Sequence, residues 1–205
     1  MEADQDPRWL ALSKERRSKL LEKYRDINAD DEWWEHVEGC LIDEMKGAGF
    51  TIGDAYFRGF WSQGDGASFT GRVTDWPKFM EWLGYTASLG KMLEDGGATL
   101  SVFVSGYYSH SGTMGLSWGE ATNPHEDDED ELMERLTWDA VTEQGLFIGN
   151  HEREILAKLR ERADQYYRDL EQEYEYLTSD AQAIEYILDY VDLEEEADEE
   201  PHLVF

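Results

Sequence analysis

The chain has 205 residues with 18 Lys and Arg against 47 Asp and Glu, a formal charge of −29 at pH 7. That is long enough for one domain with a sizeable core, and too acidic to bind duplex nucleic acid or an anionic membrane surface unaided. The absence of any run of about 18 apolar residues, the charged N-terminus and the single cysteine, Cys40, argue against a membrane span, a signal peptide, an intramolecular disulfide and a Cys-rich zinc site, and so predict a cytosolic protein.

Taken in chain order, Asp6-Pro7 reads as an N-cap followed by Pro at the first helical position, predicting a helix to about Tyr24 with Trp9, Leu12, Leu20 and Tyr24 inward. Asn28 is expected to cap a second helix ending near Lys46, with Gly47 just past its end, and with Trp34, Val37, Leu41 and Met45 as its buried stripe. Cys40 is expected in the core of that helix. The run Ser62-Gln63-Gly64-Asp65-Gly66 separates two β-like arms, Tyr56–Trp61 and Ser68–Val73, which predicts a hairpin. Asp75-Trp76-Pro77 opens a short helix carrying Phe79, Met80, Trp82 and Leu83. Leu100, Val102 and Val104 alternate with Ser101, Phe103 and Ser105, and after Ser109–Gly112 the residues Met114, Leu116 and Trp118 alternate with small ones: a second hairpin.

The C-terminal part reads as helical. A short helix is expected over Glu131–Val141. A long one, capped by Asn150, is expected to run to about Leu177, with Ile155, Leu156, Leu159, Ala163, Tyr166, Tyr167, Leu170 and Tyr174 inward. Ser179 with Gln182 fits a capping box that opens a last helix through Ile184, Ile187, Leu188 and Val191. The sum predicts an α+β fold, an antiparallel sheet of about four to five strands with N-terminal and C-terminal helices. One domain is expected over 1–192 (helical 1–48, sheet-rich 49–120, acidic helical 121–192), followed by an acidic tail over 193–205.

The stretch from Phe57 to Gly71, FRGFWSQGDGASFTG, resembles a segment of small, mostly uncharacterised bacteriophage proteins with the pattern F-x-G-F-x-S-Q-G-D-G-A-x-F-x-G. Glu173–Asp180 is similar to the E-Y-x-x-L-T-S-D stretch late in the same proteins. The resemblance implies a phage origin more than a chemistry. Read from the residues themselves, Gly64 and Gly66 around Asp65 suit a tight turn, with Phe57, Trp61 and Phe69 as cross-strand core partners. The other reading makes the loop an anion cradle with Gln63 and Asp65 as ligand residues. No Lys or Arg lies inside the loop and no helix directly follows it, which favours the turn.

Catalytic and metal constellations are not evident. His36, His110, His125, His151 and His202 show no H-x-x-x-H pair, and the run from Asp128 has no central Gly and places a Leu where an EF-hand needs a ligand. The Ser109-His110-Ser111 triplet reads as a turn. No enzyme, cofactor or metal is expected.

The acidity is uneven: residues 120–205 hold twenty-eight acidic and six basic side chains, whereas residues 1–25 hold five acidic and seven basic. Glu154–Lys158 and Asp164–Arg168 are expected as stabilising i,i+4 pairs, but Asp169, Glu171, Glu173 and Glu175 follow with no Lys or Arg after Arg168. Carboxylates on neighbouring helical turns approximate a row of phosphates, and Tyr166, Tyr167, Tyr174 and Tyr176 among them offer flat anchors. By analogy with acidic phage proteins that occupy the DNA channel of host defence enzymes, the expected function is inhibition of a basic nucleic-acid-binding host protein, a CRISPR effector or restriction nuclease, as a DNA mimic in the bacterial cytosol. The expected contact surface is Glu126, Asp127, Asp128, Glu129, Asp130 and Glu131 with Asp169, Glu171, Glu173 and Glu175. The alternatives are a phage structural or regulatory factor, or a small-nucleotide binder using the Gly-rich hairpin. The oligomeric state stays open, and the basic N-terminal helix is expected to pair with an acidic patch in cis or in a second subunit.

Overall fold

The computed structural model describes residues 3–29, 32–119 and 131–194, with 131–150 described as backbone only. Among the described residues, seven helices and a four-stranded antiparallel sheet, with helices before and after the sheet, make the fold α+β. The chain divides into two compact units, one within residues 36–169 and one within 1–35 and 170–205. The acidic tail expected over 193–205 lies outside the described residues beyond Glu194. Among the described residues no helix is long and apolar enough to cross a membrane.

In the 36–169 unit, the helix over Glu35–Gly47 (α3, numbered after two shorter N-terminal helices) buries Val37, Leu41 and Met45. It begins six residues later than a cap at Asn28 suggests, because Glu32 takes a left-handed φ of 42° and breaks any helix entering from before it. Cys40 is exposed, against expectation. It precedes Leu41 by one residue, about 100° round the helix and off the buried stripe. The left-handed residue that closes α3 is Gly49, not Gly47.

Strands β1 (Phe50–Arg58), β2 (Gly66–Val73), β3 (Thr99–Val104) and β4 (Met114–Gly119) pair in sequence order. β1 starts six residues before the expected arm and stops before Trp61. Phe57 faces Ala67 and Phe69 faces Ala55, so the aromatic partner of Phe69 is Phe50, ring centroids 5.9 Å apart. Trp61 lies in the loop, 75% exposed, and is not a core residue. β3 and β4 follow their alternation, with Leu100, Val102 and Met114 buried and Ser101, Phe103 and Ser117 exposed.

Helix α4 (Trp76–Trp82) starts where Asp75-Trp76-Pro77 predicts, the Asp75 carboxylate accepting from the Lys78 amide at 3.1 Å. The Lys78 ammonium, 2.6 Å away, and that amide hold the Asp75 carboxyl below the ordinary carboxylate value. Helix α5 (Ala87–Asp95) has no counterpart in the sequence reading. Its Gly90 lets it approach α4 closely, since a Cβ there would stand 2.4 Å from the Trp76 carbonyl oxygen. Trp76 donates from Nε1 to the Ala98 carbonyl at 2.7 Å and stacks on Trp118.

Helix α6 (Glu131–Leu177) is one helix of 47 residues, not a short and a long one, and Asn150 is not its cap. Gly145 and Gly149 fall in the expected break but no Pro does, and a helical Gly costs only about 1 kcal/mol relative to Ala. Ile155, Leu159, Ala163 and Tyr166 are buried as expected. Burial pushes the Tyr166 phenol well above its ordinary pKa, with the charge of Glu38 adding to it. The expected i,i+4 pairs do not form: Lys158 pairs with Glu161 at 3.0 Å, Arg168 donates to Gln165 Oε1 at 2.8 Å, and Glu154 accepts from the Tyr85 hydroxyl at 2.6 Å.

That last bond, then burial, raise the Tyr85 pKa from 10.0 to about 12. A raised phenol pKa adds stability that is complete below the unfolded value and lost as pH climbs through the folded one. Urea melts between pH 9 and pH 12 are therefore expected to lose stability above about pH 10, with a shallower loss in Tyr85→Phe.

In the second unit, the expected single helix from Pro7 to Tyr24 is two helices, α1 (Pro7–Leu10) and α2 (Lys14–Tyr24). Asp6 caps α1 as expected, and Ser13 restarts the helix by accepting from the Arg16 amide at 3.3 Å. Helix α7 (Asp180–Tyr190) is capped by Ser179, but Gln182 turns its side chain to the Tyr176 hydroxyl, so only half of the capping box forms. Trp9 and Leu20 bury against Ile184 and Ile187, with Leu12, Tyr24 and Leu188 around them.

Candidate functional site

Of the residues expected to form an anionic face, Glu126, Asp127, Asp128, Glu129 and Asp130 lie outside the described residues, and Glu131 is described only as the first backbone position of α6. The remaining four differ in kind. Asp169 is engaged within its own unit, accepting from Gln165 Nε2 at 2.7 Å and lying 3.7 Å from Arg162 Nη1. Glu171, Glu173 and Glu175 have no Lys or Arg within 4.0 Å among the described residues. Positions two apart on a helix differ by about 200°, so Glu171 and Glu175 share one side while Glu173 takes the other. The acids therefore wrap the end of α6 instead of forming a single row. Between Asp169 and Glu194 nine acidic and no basic side chains occur.

Among the described residues Lys14, Arg16 and Arg17 of the N-terminal helix do not pair with this surface's acids and Lys19 binds Glu15 of its own helix at 3.4 Å, but the residue after that helix, Arg25, does pair with the surface. Arg25 binds Asp180 at 2.8 Å and the Thr178 carbonyl at 3.2 Å, Arg16 donates to the Leu193 carbonyl, and Arg8 donates to the Leu188 carbonyl at 3.0 Å. Glu185 and Asp189 on α7 carry no ion pair among the described residues. Of the four tyrosines expected as anchors, Tyr166 is core, Tyr167 and Tyr174 are half-buried, and Tyr176 is 57% exposed. Tyr190 on α7, absent from the sequence expectation, is 76% exposed.

The Gly-rich loop is closed by its own aspartate. Asp65 Oδ2 accepts from the amides of Trp61 (3.0 Å) and Ser62 (2.6 Å), so the donors that an anion would need already have an acceptor. Gln63 is exposed at the tip. The triplet at Ser109–Ser111 is a turn, with the His110 carbonyl accepting from the Thr113 amide at 2.9 Å and the His110 ring stacked on Tyr108. Among the described residues no group of three or more His, Cys, Asp or Glu side chains is placed to hold a metal ion.

Sequence reasoning missed Arg162. It sits on α6 next to the buried Ala163, 9% exposed, and pairs with Glu44 of α3 at 2.8 Å. Its Nε and Nη1 have no hydrogen-bond partner. Its place on the inward stripe at i+3 from Leu159 was the available signal.

A family model described as Domain of unknown function (DUF8835) matches residues 33–180. No curated protein and no solved structure matches the chain.

Proposed function

We propose, for a chain that belongs to this family of unknown function, a role read from its own charge: it is an acidic inhibitor, of phage origin, that acts in the bacterial cytosol on a basic nucleic-acid-binding host protein. The target class is a CRISPR effector or restriction nuclease, gripped in its DNA-binding cleft. The observation that carries this reading is the absence of any Lys or Arg between Asp169 and Glu194, with Glu171, Glu173, Glu175 and Glu185 holding no Lys or Arg within 4.0 Å among the described residues. Like charges at i,i+4, such as Glu171 and Glu175, cost a few tenths of a kcal/mol per pair, so helix stability does not account for them. A cationic cleft would relieve that repulsion, accelerate encounter by long-range attraction and bind the carboxylates through charge-assisted contacts. Tyr176 and Tyr190, exposed among the acids, supply the aromatic contact area that protein interfaces favour.

The experiment is inhibition of DNA cleavage by purified CRISPR effectors and restriction endonucleases, with binding measured across a salt series. A target should be protected from binding DNA, and the affinity of the complex should fall at least about tenfold between roughly 50 and 500 mM salt. The triple substitution E171Q/E173Q/E175Q should weaken the complex while leaving the thermal midpoint unchanged or slightly raised. A complex that tolerates bound DNA, or holds its affinity across that salt range, overturns the reading.

A further inference from the structure

In the 36–169 unit a shallow groove of about 560 Å³ runs between α6 and the turn at Ser111–Thr113. Three arginines of α6 line it: Arg153, Arg160 and Arg168. Among the described residues Arg8, Arg25, Arg162, Lys19, Lys78, Lys91 and Lys158 each hold a carboxylate within 4.0 Å, whereas Lys14, Arg16, Arg17, Lys46, Arg58 and Arg72 do not. The three groove arginines hold none among the described residues. Arg160 donates to the carbonyls of Gly112 (3.2 Å) and Met114 (2.7 Å), and its Nε is buried without a partner. Arg168 donates to the neutral Gln165 side chain, and Arg153 is exposed. What sets these three apart is that they line a single groove, in a chain with 47 acids.

We infer that this groove binds a small molecule carrying two or more phosphoryl charges, of the nucleoside di- or triphosphate class. The charge fits. Of the two acids on the groove wall, Glu161 is already taken by Lys158 at 3.0 Å, and only Asp164 sets its charge against the three arginines. A net positive charge of about two remains, which offsets part of the negative charge of a di- or triphosphate. The spacing fits a ligand with more than one such group. Seven and eight residues of helix separate the arginines, about 10 and 12 Å of rise, which is more than one phosphate bridges and within reach of an extended polyphosphate. Guanidinium forks suit phosphate oxygens geometrically, and Ser111 adds a hydroxyl on the opposite wall. The volume falls within the range of small-ligand sites. Arg160 is the fixed member, held by two carbonyls, while the exposed Arg153 and Arg168, the latter tied only to the neutral Gln165, stand at either end of the groove.

The test is calorimetry and thermal shift on the full chain with ATP, pyrophosphate and inorganic phosphate, at constant ionic strength and with a chelator present. Saturable binding of ATP and pyrophosphate is expected, with inorganic phosphate at least about tenfold weaker because it reaches fewer arginines. The double variant R153Q/R168Q should lose at least about tenfold in ATP affinity with an unchanged midpoint in the absence of ligand. Arg160 is left intact because it anchors the turn. Absence of saturable binding, equal affinity in the double variant, or inorganic phosphate binding as tightly as pyrophosphate would each overturn the inference.

Discussion

Phe79→Ala is expected to lower the thermal midpoint by roughly 6–20 °C. The side chain is completely buried, and its ring lies 5.9 Å from Phe50, 6.0 Å from Trp76 and 5.7 Å from Trp82. It thus joins the first residue of β1 to both ends of α4. Removing a buried phenyl ring costs about 3–5 kcal/mol, and three aromatic neighbours of rigid shape are poorly suited to collapsing into the space left. For a chain of this length each kcal/mol is worth about 2–4 °C, which gives the quoted range. Phe79→Leu retains much of the volume and should lose clearly less. Calorimetry on the two variants decides the matter: a shift under about 2 °C for the alanine variant would mean that the cluster does not hold α4 to the sheet.

Much of this architecture was legible because the decisive signals are local. Asp6, Asp75 and Ser179 cap helices through their own side chains, and the alternation of Leu100 and Val102 with the exposed Ser101 and Phe103 needs only a two-residue period. What escaped was decided at a distance or by a subtle local choice. The break at Ser13 depends on a serine preferring a cap to a helix interior, where the flanking Leu12 and Lys14 give no warning. Helix α5 contains a glycine, which reads as a breaker, yet Gly90 is there because α4 lies against it. The unbroken course of α6 through Gly145 and Gly149 shows the same override in the opposite sense.

The candidate site divides along the same line. The excess of carboxylates after Arg168 is a property of composition and needs no fold. Which cation meets which acid does need one: Arg162 finds Glu44 on a different helix, 118 positions away in sequence, and Lys158 prefers Glu161 to Glu154 because the latter is occupied by Tyr85. Three of the arginines that these choices leave without a carboxylate, Arg153, Arg160 and Arg168, line the groove beside Ser111. Charge counting alone treats them as a minor correction to a negative total, whereas their positions turn them into a local site of opposite sign.

Gly49→Ala tests how the helical and β-rich halves of that unit are joined, and a loss of about 2–4 kcal/mol is expected. Two costs add at this position. The φ of 77° lies in the left-handed region, where a Cβ costs about 1–2 kcal/mol. The Cβ would also stand 2.2 Å from the Asp75 carbonyl oxygen and 3.1 Å from the Cβ atoms of Asp75 and Lys78, so the chain leaving α3 and the start of α4 must move apart. That movement is expensive because the Gly49 carbonyl accepts from the amides of Thr74 (2.8 Å) and Asp75 (3.0 Å), bonds that close the end of β2 onto the start of β1. Gly84→Ala separates the two costs: its φ is 93°, but nothing lies within 4 Å of the added Cβ. Only the conformational penalty applies there, so the Gly49 variant should melt several degrees below the Gly84 variant. Equal midpoints for the two would mean that the close approach to Asp75 relaxes freely and that the joint between α3, the sheet and α4 is soft.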